Sequence, residues 1–289
     1  MNARLGFAAP LFALAVSLFA ADSAVPLPAM TPPSPEREQG FHFALPRGFQ
    51  RNPRLSITAV TEFTAYGRSL PAPAADSPVY YRLHLTPMQQ RGAVFAGLRA
   101  PPRERLTAIL EHSLRERGFL PADEHHAPSL ALIVHWGAHS ILDLEMRNLF
   151  PEQAAKHRFE RLRLVGGHRY QDFVRRRHGS SENPFGHPNK YRWLLDQAMQ
   201  DLYFVVVSAY DYDALARNER RLAWRTHLTV DSLGLAMTET LPALIVSGAP
   251  FLGREMTEPA TIFRRLRRGV VEFGEARVLE TDVPLDDRK

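Results

Sequence analysis

Cysteine is absent from the 289 residues of this chain. That excludes disulfides, thiolate-held metals, cysteine nucleophiles and an acyl anchor attached through an N-terminal cysteine. Lysine is nearly absent as well: of 36 cationic residues only Lys156, Lys190 and Lys289 are lysines, against 31 acids, for a net charge of +5. The acids are interspersed almost everywhere, and the basic residues are not gathered on one element beside stacking aromatics, so nucleic acid is not an expected partner. The sequence also has no G-x-S-x-G elbow, Walker loop, G-x-G-x-x-G turn or H-E-x-x-H helix. No cofactor is therefore expected, no metal site is assigned, and the catalytic residues, if there are any, are unknown. The N-terminal apolar run, Leu5 to Ala21, is 17 residues broken by Pro10, short of the roughly 20 needed to span hydrocarbon.

That run instead reads as a secretory signal peptide. Arg4 supplies a positive n-region, and the small residues Ala20, Ala21, Ser23 and Ala24 follow, with cleavage expected after Ser23. The expected organisation is a signal peptide at 1–23, a Pro-rich tether at 24–53 and an α+β domain at 54–289 that contains an irregular Arg-rich segment at about 139–189. The mature chain should be exported, periplasmic or extracellular, without a transmembrane span or lipid anchor.

Within the domain, Ser56 to Thr64 and Val79 to Leu85 alternate as strands and predict an early hairpin or meander with a long connection. Leu106, Ile109, Leu110 and Leu114 recur at helical spacing behind Pro101 and Pro102, and Gly118 is placed to end that helix. Ser129 to Trp136 and Tyr203 to Tyr210 read as strands covered on both faces. In Arg221 to Thr229 the alternation predicts one wet face, carrying Arg225 and His227, and an antiparallel pairing with the preceding strand. Further helices are expected at Lys190 to Asp201, with Trp193, Leu194 and Met199 turned inward, at Leu235 to Val246, and as a short basic helix at Thr261 to Arg268. Val270 to Leu279 is expected to be a last strand. The uncharged stretch Leu241 to Leu252 is the length of a buried core helix. The fold class is thus α+β: a mainly antiparallel or mixed sheet with helices packed on it, in a single domain.

The order of these elements resembles a known family. A helix ending L-R-E-R-G-F-L-P-A, then S-L-A-L-I-V-H-W, and later L-Y-F-V-V-V-S-A-Y-D followed by R-L-A-W-R-T, is similar to the bacterial envelope lipoproteins that carry domain of unknown function 4136. Gly118, Phe119, Asp211, Leu222, Ala223, Trp224 and Arg225 stand at the matching positions. The resemblance covers two blocks made mostly of core hydrophobics. It implies an α+β envelope fold and no chemistry, since the family has no assigned activity. This sequence departs from the pattern in lacking the lipobox cysteine and in carrying a long segment between the blocks.

Three clusters could bear function. His125, His126, His135 and His139 fall within 15 residues, but an extended strand at about 3.3 Å per residue holds the first two far from the last, against convergence on one Zn²⁺. His178 beside Ser180 is the nearest approach to a nucleophile with its base. The segment Arg158 to Arg192 gathers Arg158, Arg161, Arg163, Arg169, Arg175, Arg176, Arg177 and Arg192, interleaved with Tyr170, Phe173, Phe185 and Tyr191. Arg175, Arg176, Arg177 and Arg192 are the candidate anion-binding residues, because guanidinium groups pair with phosphate and carboxylate. The expected role is a non-enzymatic binding or structural module of the cell envelope, whose partner is an envelope protein or an anionic envelope component. The alternative is a hydrolase or metal-dependent enzyme with a site built from the His-containing loops.

Overall fold

The computed structural model describes residues 46–74, 76–93, 97–169 and 192–266. The strongest alternation in the sequence forms the middle of a sheet. β1 (Arg54–Phe63), β2 (Val79–Leu85), β3 (Gln89–Arg91), β4 (Phe119–Pro121), β5 (Leu130–His139), β6 (Leu202–Asp211), β7 (Leu222–Asp231) and β8 (Ala260–Arg265) lie in the order β4-β2-β5-β6-β7-β1-β8. β3 continues the edge of β5 beyond the end of β2: β2 pairs with Leu130–Val134 and β3 with Gly137–His139, both parallel. β5, β6, β7, β1 and β8 pair antiparallel in succession. The result is an open mixed sheet with helices around it, a single α+β domain.

Side chains of period two divide the helices between the two faces. Leu132, Val134 and Trp136 of β5 look toward α2 (Arg103–Arg115) and α7 (Met237–Gly248), where Leu106, Leu110, Leu114, Leu241, Leu244 and Ile245 close the main core. Burying one such side chain contributes about 1.5–3 kcal/mol. The stretch Leu241 to Leu252 is largely buried here, as its length predicts, with Val246 and Pro250 exposed. The opposite face carries α4 (Pro151–Gly166) and α5 (Arg192–Ala198), which share a small core of Val165, Leu194, Ala198 and Leu202. The buried Gln197 of α5 holds this second layer to the sheet, accepting from the Thr58 hydroxyl of β1 and donating to Thr229 of β7. Phe204 and Val206 are buried on this face rather than against α2, because their register partners are Gly137 and His135.

Several expectations are corrected. β1 and β2 form no hairpin: α1 (Ala65–Ser69), capped by Thr64, carries the chain past the end of β7, so that β1 pairs with β7 and β8 while β2 joins the far side of β5. Of the basic helix expected at 261–268, residues 261–265 are strand, and 267 and 268 lie outside the described residues. Thr261, Ile262 and Phe263 instead supply an edge strand for β1, and the Arg54 guanidinium lies 4.1 Å over the Phe263 ring. Met199 is 52% exposed, because α5 ends one residue earlier at Ala198. The wet face expected on β7 is covered by α4: Arg225 is half-buried and His227 is 6% exposed. Much of the supposedly irregular segment is helical, as α3 (Leu144–Leu149) and α4.

The expected signal peptide, most of the tether, Arg175, Arg176, Arg177, His178, Ser180 and the strand at 270–279 lie outside the described residues. At the tether's end Arg47 forms an ion pair with Asp231 of β7. Among the described residues no helix is long and apolar enough to cross a membrane.

Candidate functional site

The two blocks that resemble the envelope family meet at one end of the sheet and wall a cleft of about 570 Å³. Its floor is Trp224 of β7, flanked by Phe63 of β1 at 6.5 Å between ring centroids and by Phe119 of β4 at 5.6 Å. Phe119 arrives there because Gly118, at φ 78°, reverses the chain after α2, a conformation glycine adopts without strain. Val79 then donates its N–H to the Gly118 carbonyl at 3.0 Å, setting β4 beside β2. The near wall is α1. The Thr64 hydroxyl accepts from the Gly67 N–H (3.1 Å) and donates to the Leu222 carbonyl (2.6 Å). Gly67 lies so close to β7 that a Cβ there would be 2.0 Å from the Ala223 carbonyl oxygen. Leu70, Pro71, Pro73 and Leu130 complete an apolar lining.

Polar groups stand at the margins of this lining. The Tyr66 hydroxyl donates to Asp211 at 2.6 Å, and the Arg221 guanidinium lies 4.6 Å over the Tyr66 ring. Burial, with the Asp211 carboxylate beside it, pushes the Tyr66 phenol up to about 12, while the same hydrogen bond holds Asp211 below the usual carboxylate range. Asp211 also caps α6 (Tyr212–Ala216) through the Ala214 N–H at 2.8 Å. Arg68 and Glu255 pair across the mouth at 2.6 Å. Inside, the Nε of Arg117 is buried and has no acceptor among the described residues. The cleft therefore offers aromatic and aliphatic contact area and, in Arg117 Nε, a buried donor without an acceptor among the described residues. Among the described residues that line it, none is a nucleophile beside a base.

Of the candidate histidines, His135 and His139 line one cavity under α4, whereas His125 and His126 lie in the loop before β5. The His126 ring pairs with Asp123 at 2.8 Å and stacks on Tyr80 in a loop before β5. His135 meets Gln89 at 3.0 Å midway along the strand, and His139 faces His157 of α4 at 3.1 Å near its end. Burial and the Arg161 charge bring His139 down to about 3 and lower His157 too. Among the described residues no three His, Asp or Glu side chains converge as metal ligands. Arg192 opens α5. Sequence reasoning missed His157 and read His227 as solvent-facing; with Arg161 and Arg163, which it placed in the arginine-rich segment, they gather on the α4 face. His157, Arg161 and Arg163 share α4, and only the sheet register with that helix laid across β7 brings the distant His227 to them.

No family model and no curated protein matches the sequence. Among solved structures, the chain is similar to a variant PelC dodecamer from Paraburkholderia phytofirmans, with 10% identity over 68% of this chain and 99% of that one and a TM-score of 0.29. It is also similar to a DUF4136 family protein from Bacteroides thetaiotaomicron, with 9% identity over 70% of this chain and 94% of that one and a TM-score of 0.27. The second belongs to the family that the sequence resembles. Likenesses this distant transfer neither a ligand nor a role.

Proposed function

We propose that the chain is an exported cell-envelope protein that works by binding rather than by catalysis, and that the cleft between α1, β4 and β7 receives an acyl group carrying an acceptor oxygen. The observation that carries this is the cleft itself: about 570 Å³ walled by Phe63, Phe119, Trp224 and Leu70, within the roughly 300–1,000 Å³ range of small-molecule sites. The buried Arg117 Nε gives the acceptor oxygen its partner. Export is supported by the N-terminal sequence, where a positive residue, an apolar run and small residues follow in order.

Two measurements test the reading. Dodecanoate titrated into the full chain should bind saturably with a change in tryptophan fluorescence, since Trp224 lines the cleft. Leu70→Trp, which fills the cleft from α1, should abolish that binding while leaving the unfolding midpoint near wild type. Unchanged affinity in this variant would remove the cleft from the account. For export, the intact mass of protein from its native host should correspond to a chain beginning near Ala24, and retention of Met1 would refute it.

A further inference from the structure

On the face of the sheet opposite the main core, α4 roofs a second cavity of about 340 Å³, with Glu160, Arg163 and Leu164 above and His135, Arg225 and His227 on its floor. His227 is 6% exposed, and neither of its ring nitrogens has a hydrogen-bond partner within normal geometry among the described residues. The Leu164 backbone offers it only an off-geometry contact. Native folds rarely leave a buried polar side chain so, unless a further group completes it.

Around His227 the cations are in excess. Arg163 and Arg225, with Arg91 at the rim, share the cavity with one carboxylate, Glu160. Glu62, the cross-strand partner of Arg225, spends its oxygens on the backbone N–H groups of His168 and Arg169. Arg225 is held in place by donating Nε to Ser208 at 2.8 Å and Nη2 to the Tyr210 hydroxyl at 3.1 Å. Arg163 Nη2 meets the His168 ring at 2.6 Å. A guanidinium carries five N–H donors in a planar fork, so both arginines retain donors to give.

We propose that this cavity binds a small phosphate-class oxyanion, with Arg163 reaching down from α4, Arg225 rising from β7 and His227 donating from the floor. The donors converge from a helix and a strand, which suits a tetrahedral anion and makes the bound anion a tie between the two layers. Burial, then the charges of Arg225, His168 and Arg163, keeps His227 neutral. A neutral imidazole still has one N–H to donate, and the surrounding positive field is the one an anion relieves.

The test is a calorimetric titration of inorganic phosphate into the full chain at low salt, with Arg163→Gln and Arg225→Gln measured beside wild type. Saturable binding is expected in wild type, weakened about tenfold or more in each folded variant, with the ¹⁵N signals of the His227 imidazole shifting on saturation. Arg163 lies on the helix, so its variant carries the test alone if Arg225→Gln fails to fold. A second arm replaces phosphate with glycerol 1-phosphate. Binding of both identifies a phosphorylated headgroup or metabolite as the source, binding of phosphate alone identifies the free anion, and either result supports the site. No saturable binding in wild type, or equal affinity in the folded variants, would overturn it. Leu70→Trp should leave phosphate binding unchanged, which separates failure here from failure of the cleft reading.

Discussion

Arg161 occupies a core-facing position of α4, is 2% exposed and makes no ion pair among the described residues. Its guanidinium donates Nε to the Ala198 carbonyl at 2.8 Å, Nη1 to the His139 carbonyl and Nη2 to the Gln200 carbonyl. One side chain thus joins α4, the end of β5 and the turn after α5. Burial lowers its pKa to about 10, with nearby Asp201 acting in the opposite sense, so it stays charged at neutral pH. Hydrogen bonds to a charged group contribute about 1.5–3 kcal/mol each, against a desolvation cost of several kcal/mol for the buried ion. Arg161→Met removes the bonds and the buried charge together but leaves three carbonyls without a partner, and a net loss of about 2–4 kcal/mol is expected. Arg161→Lys keeps the charge without the planar fork, so an intermediate loss is expected. Urea unfolding at pH 7 measures both, read as a lower midpoint at constant slope. Stability of Arg161→Met within about 0.5 kcal/mol of wild type would show that desolvation cancels the three bonds and that the guanidinium does not hold the α4 layer.

Leu110, fully buried between α2 and the sheet, should cost about 2–5 kcal/mol as Leu110→Ala, and a loss under about 0.5 kcal/mol would show that the core on that face is wrongly described. Because His139 and His227 are both brought down to about 3 in the folded chain, the unfolded state takes up protons first. Their contribution is fully present above about pH 6.5 and is lost as pH falls toward 3, by about 2 kcal/mol for each between pH 7 and 5. Denaturant unfolding of wild type and His227→Phe at the two pH values should show a flatter dependence in the variant; equal slopes would contradict the assignment. Tyr66→Phe removes the hydrogen bond that holds Asp211 down, so the Asp211 titration followed by carboxyl NMR should move up toward the ordinary range, at a stability cost of about 0.5–1.5 kcal/mol.

The elements legible in the sequence were those whose burial is written in apolar residues. The alternation in β5 and β6 and the Leu106, Leu110, Leu114 stripe of α2 placed the centre of the sheet and one of its covering helices. α4 escaped notice because its inward positions 154, 157, 161 and 165 include His157 and Arg161. The period is helical, but polar side chains occupy it, so a hydrophobic pattern does not show it. The same cause hid the wet-looking face of β7, which is polar yet covered by α4. Residues 261–265 failed differently: their arginines look helical on a surface, and only the open edge of β1 decides for a strand. The cleft was legible in pieces, since Phe119 and Trp224 belong to the blocks that carry the family resemblance, but their convergence depends on β4 and β7 starting at the same side of the sheet.

The central claim is that the aromatic cleft is where this protein binds. The most direct measurement is an isotope-filtered NOE spectrum of the full chain saturated with ¹³C-dodecanoate. Contacts from the acyl chain to the rings of Phe63, Phe119 and Trp224, absent in Leu70→Trp, are the predicted result. Contacts elsewhere, such as to the exposed Val246 of α7, or no saturable complex at all, would contradict the account.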